Sequence, residues 1–229
     1  MISDYFDEVG LMTLKPGEKC DNGILFLSIY HVLNHLLGQH TGSFEYTQTI
    51  HACEVEPGLF HRAPGRNKDT EGFDDYVGVC AASVFLEQPQ LAEAIVEYGN
   101  KHGWNFNNTE PGKFALWGWR QGAEIAFANI CMGRRPELAQ FIWLCLSFVW
   151  AGLAYGEDKM SEHQLTWLRG EAIKKVGLEK WAQPWFVLAH SFWHLCVWVR
   201  FGSLGRIFSG YYEDPRHPNR VMAETLYPA

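Results

Sequence analysis

Residues 138–156 (LAQFIWLCLSFVWAGLAYG) and 181–199 (WAQPWFVLAHSFWHLCVWV) contain no Asp, Glu, Lys or Arg. No other feature constrains the fold as strongly, because a helix of that length that is apolar all round must be covered by protein or by lipid. A bilayer would accept the length. Against it, the first stretch carries Gln140, Ser147 and two glycines, and the second carries Gln183, Pro184, His190 and His194. The chain as a whole has the mean hydropathy of ordinary soluble sequence, −0.17. A membrane contact is therefore set aside, and both stretches are expected as inner helices of a helical protein.

The apolar content supports that expectation. With 229 residues, 47% apolar and 20% charged, the chain can bury a substantial core and is expected to form one helical domain over 1–229, with an N-terminal arm at 1–20 and a C-terminal tail at 211–229. A net charge of −7 and a pI near 5.8 leave no basic stripe, which excludes nucleic acid as a partner class. The N-terminus carries acids where a signal peptide carries basic residues, so no signal peptide is expected. The six cysteines are far apart and lack any C-x-x-C pairing. They read as reduced and mostly buried, which fits a cytoplasmic protein.

Local patterns set the helices. Residues 21–37 read as a helix opened by Asp21 and stopped by Gly38, and residues 75–87 repeat that grammar before Pro89 starts another helix through Gly99. Further helices are expected over 121–132, 138–155, 161–176 and 181–200, the 161–176 helix being amphipathic and half-exposed. Strand signals are few: residues 45–55 alternate weakly and fit a helix equally well. The fold expected is all-α, with helical hairpins in two layers, apolar helices inside and amphipathic ones outside. The tail after Gly210 is Pro-rich at first and is expected to wrap over the body.

An approximate repeat joins three of these helices. Residues 20–25 (CDNGIL) align with residues 73–78 (FDDYVG) at an offset of 53, and the 121–132 run follows about 47 residues later. Helices opening with Asp21-Asn22 and Asp74-Asp75, a loop bearing His61 and Arg62 before the second, and aromatics around them resemble, over the first 130 residues, the (α/α)-toroid enzymes that act on polysaccharides. The resemblance implies a partial or complete toroid with a glycan-facing site at the mouths of the inner helices.

The residues themselves permit such chemistry. The segment 51–75 packs Glu54, Glu56, His61, Arg62, Arg66 and several further charges between two apolar helices, with Pro-Gly turns that give it order. Asp21, Asp74 and Asp75 each fit a helix cap, but one cap needs one carboxylate and Asp74-Asp75 supplies two. Two carboxylates flanking a glycosidic bond can act as general acid and base. Glu124, among small and apolar neighbours, is a further candidate acid, with Arg120 one turn earlier as a possible ion-pair partner. The catalytic candidates are thus Asp21, Asp74, Asp75 and Glu124, and the substrate contacts His61, Arg62, Arg66, Tyr76 and Trp119. A lyase would instead use Tyr76 or His61 as base and Arg66 to neutralise a uronate.

Two other readings use different residues. The aromatics could form an interface in a non-enzymatic helical binding or assembly protein. Alternatively, His31 with His35 and His190 with His194, each pair at i,i+4, could face one another and hold a metal. The leading expectation is glycoside hydrolysis on an oligosaccharide or polysaccharide, needing no cofactor and no metal; the oligomeric state is left open.

Overall fold

The computed structural model describes residues 2–18, 23–39, 43–61, 73–104, 118–154, 160–177 and 183–228. Ten α-helices are present among them: α1 (Gly23–Leu36), α2 (Ser43–Cys53), α3 (Phe73–Phe85), α4 (Pro89–Lys101), α5 (Gly118–Cys131), α6 (Leu138–Leu153), α7 (Met160–Val176), α8 (Gln183–Phe201), α9 (Gly205–Tyr211) and α10 (Pro218–Leu226). One antiparallel hairpin, β1 (Glu54–Glu56) and β2 (Leu59–Phe60), follows α2, and the N-terminal arm opens with a 3-10 turn at Ile2–Tyr5. The all-α expectation holds.

Helix α3 is the hub, packing against α1, α4, α5 and α7. Its sequence explains why, since Val77, Val79, Cys80, Ala81 and Ala82 cover the helix with small or branched apolar groups that neighbours can approach from several sides. Pro89 sits at the first position of α4, where its missing N–H costs nothing. The hairpin turns at Pro57-Gly58. Gly58 has φ +84°, and a Cβ there would lie 2.1 Å from the carbonyl oxygen of Ala94 on α4. Gly58→Ala therefore combines a left-handed backbone with a backbone clash and should cost about 2 kcal/mol or more. Urea unfolding reads this as a lower midpoint at unchanged slope, whereas an unchanged midpoint would mean that the hairpin does not rest on α4.

Both termini are tied to the body. His217 donates from Nε2 to the Thr13 carbonyl at 3.0 Å, and its Nδ1 accepts from the Asn219 N–H at the start of α10. Asn219 donates in turn to the Phe26 carbonyl of α1. The tail after Gly210 thus packs on the body, and it does so with one short helix, α10.

The layering expected for the C-terminal half is inverted. Helix α7, read as half-exposed, is interior: His163, Gln164, Thr166, Trp167 and Arg169 are all buried. Part of its polar surface finds partners there, the Thr166 hydroxyl donating to the Glu162 carbonyl and Gln164 Oε1 accepting from the Tyr212 hydroxyl, while Gln164 Nε2 is buried with no hydrogen-bond partner among the described residues. Helices α6 and α8, which hold the two charge-free stretches and were expected at the centre, lie at the edge of the molecule, and much of their apolar surface faces outward.

Candidate functional site

Asp75 is buried on α3, and its Oδ1 accepts the Leu25 N–H, 3.2 Å away, in the first turn of α1. Early N–H groups of a helix lack intrahelical acceptors, so this carboxylate caps a neighbouring helix across the α1–α3 contact. Asp74 is only partly buried. Tyr76 is buried and its hydroxyl accepts from the Phe60 N–H, which fastens β2 to α3. His61 continues β2, its N–H donating to the Cys53 carbonyl at 2.9 Å. Asp21, Arg62 and Arg66 lie outside the described residues, as does the side chain of Trp119 in the first turn of α5.

Glu124 is buried on α5 and forms an ion pair with Arg169 of α7. The partner comes from forty-five residues away and from the helix read as an outer one. Arg169 Nε, also buried, has no hydrogen-bond partner among the described residues. Two charges in the interior hold each other in place, an arrangement costly to break from either side.

The four histidines of the metal reading are spent on packing. His31 meets Tyr46 edge-on at 5.0 Å between ring centres, and His35 meets Phe85 at 5.2 Å. His190 stacks on Phe186 at 5.3 Å and neighbours His194 at 4.3 Å. Burial pushes His31 and His194 down to about 4, and burial together with the charge of the adjacent His194 pushes His190 down to about 3. Among the described residues no three His, Cys, Asp or Glu side chains converge to hold a metal ion. His190 also shows how tightly α8 is seated on α7, because a Cβ on Gly170 would come within 2.7 Å of its Nε2.

The largest unexplained feature is the outer surface of α6 and α8. The helices run in the same direction: Arg200, at the end of α8, donates to the carbonyls of Leu153 and Ala154 at the end of α6. Helix α6 turns Phe141, Leu144, Phe148 and Ala151 inward and leaves Leu138, Ile142, Leu146, Trp150 and Leu153 exposed along one stripe. Helix α8 buries Phe186, Ala189, Trp193 and Val197 and exposes Trp185, Leu188, Phe192, Leu195 and Val199. Those five recur at alternating intervals of three and four, the spacing with which a helix meets another helix. Between the two stripes runs an apolar groove of about 650 Å³. No helix among the described residues is long and apolar enough to cross a membrane.

The sequence showed the charge-free stretches 138–156 and 181–199 but not which side of each helix would face out. Compared with known proteins, the chain matches no family model, no curated protein and no solved structure.

Proposed function

We propose that this chain is a helical binding or assembly protein that works by docking through the outer face of α6 and α8. The observation that carries this reading is the face itself. Thirteen large apolar side chains on the two helices are exposed by a third or more, with Leu138 at 76% and Trp185 at 71%. Taking aromatic side chains as ~150–250 Å² each, they present roughly 1,000–1,500 Å² of apolar surface, against the ~300–600 Å² of the largest patch on an ordinary monomer. Leaving that much apolar surface in water forgoes roughly 25–40 kcal/mol of transfer free energy, more than a domain's stability of ~5–15 kcal/mol, so the face is built to be covered.

Hydroxyl-radical footprinting tests the reading. In the chain as expressed, Trp150, Trp185 and Trp198 should be protected relative to Phe44, which is similarly exposed in the isolated fold. Oxidation of these tryptophans as complete as that of Phe44 overturns it.

Glycan cleavage by Asp21, Asp74, Asp75 and Glu124 ranks below docking, because Asp75 serves as a cap and Glu124 as an ion-pair partner. A partial (α/α) toroid, with α1, α3, α5 and α7 inside and α2, α4, α6 and α8 outside, belongs with that proposal, and the burial of α7 under an exposed α6 and α8 supports such a layering. An oligosaccharide panel is expected to show no turnover. Turnover that Asp75→Asn abolishes without lowering the melting temperature would put the carboxylate chemistry first.

A further inference from the structure

We infer that the occupant of the α6–α8 face is a second copy of this chain, docked face to face about a two-fold axis. The inference rests on the docking reading and adds the partner.

Size points to self-association. A standard interface uses about 800 Å² per partner, and permanent homodimers use more and are more apolar. The roughly 1,000–1,500 Å² estimated from the exposed side chains lies in that upper class.

Charge narrows the choice further. Each copy carries a net charge of −7, so two copies repel through most of their surfaces. Residues 138–156 and 181–199 bring no Asp, Glu, Lys or Arg to a contact, so here two copies can meet without opposing like charges. The same features disfavour an anionic bilayer, because interfacial helices hold such lipids with Lys and Arg on their polar faces, and neither stretch contains one. They equally disfavour a strongly basic protein, which would find no carboxylate on these stretches to pair with.

Shape supports the same occupant. An isologous contact needs a surface that complements itself, with ridges and a matching groove on one patch. Here the groove lies beside the Leu138–Leu153 stripe of α6 and the Trp185–Val199 stripe of α8. The three-and-four spacing on α8 fits a helix as the incoming element, and in a two-fold pair that helix is the partner's own. The result is a layer of four helices closing the apolar face of both copies.

The test is the mass of the full chain in solution over a wide dilution series, with wild type, Leu146→Glu combined with Leu188→Glu, and Val55→Glu as a control on the exposed hairpin. Wild type and Val55→Glu should show twice 26.2 kDa. The double variant should show 26.2 kDa, or self-association weakened at least ~30-fold, the loss expected for one interface hot spot. A measurement that needs no variant is the wild-type melting temperature, which should fall on dilution if folding is linked to pairing. A wild type that is dimeric but indifferent to the double substitution overturns the inference, as does a wild type monomeric at every concentration. If that monomer binds phosphatidylcholine vesicles and the double variant does not, the docking reading survives with a bilayer as occupant. If it binds none and its tryptophans are fully oxidised, both readings fall.

Discussion

Arg169→Ala is expected to lower the folding stability by about 3–5 kcal/mol, because it removes the guanidinium from the buried ion pair with Glu124. For a domain of this length that corresponds to a fall of roughly 10–15 °C in melting temperature. The size of the effect comes from breaking one side of a buried pair and not from the net worth of the pair. Replacing both partners by apolar groups of similar volume, Glu124→Leu with Arg169→Met, should therefore restore most of the loss. Thermal or urea unfolding of the two variants makes the comparison. An Arg169→Ala protein that melts like wild type would show that the pair does not hold α5 to α7, and Glu124 would return as a candidate acid.

The second large effect is acid unfolding. Burial pushes five histidines well below their ordinary value of 6.5: His31, His163, His194 and His217 to about 4, and His190 to about 3. In the unfolded chain each takes up a proton below about pH 6.5, whereas the folded protein keeps it neutral until about pH 4. The stability from these groups is therefore fully present above pH 6.5 and is lost as the pH falls from there toward 4. Each contributes on the order of 2–3 kcal/mol, so together they rival a typical total of ~5–15 kcal/mol.

Hydrogen bonding shows why neutrality matters. His217 Nδ1 accepts from the Asn219 N–H, and His163 Nδ1 accepts from the Trp193 indole N–H. A proton on either nitrogen would face a donor. Calorimetry from pH 8 to 4 should show the melting temperature falling below about pH 6.5, with roughly four to five protons taken up on unfolding near pH 5. A melting temperature flat to pH 4.5 would instead assign acid sensitivity to carboxylates.

Much of the helical framework was legible because it is written in local terms. The apolar run of α1 stopped before Gly38, Pro89 at the start of α4, and the uncharged lengths of α6 and α8 are each signals within one segment. Helix α2 lacks a clear apolar stripe, and α10 begins at a proline in a tail that reads as irregular, so neither announced itself. The acidic candidates were legible as residue types but not as roles. Asp75 has the character of a cap, yet it serves a helix fifty residues earlier in the chain. Glu124 had Arg120 within one turn, and its observed partner is Arg169 on another helix.

The sequence by itself determined that the chain is helical, that its cysteines serve as small buried hydrophobes at Cys53, Cys80 and Cys131, and that two helices hold long stretches without charge. Only the tertiary structure decided where those helices lie. Hydrophobicity requires apolar surface to be covered but does not say by what, and a polar helix can be buried wherever its groups find partners. Helix α7 took the interior, where the Glu124–Arg169 pair and the Tyr212–Gln164 bond partner part of its polar surface, leaving α6 and α8 to present their apolar faces outward.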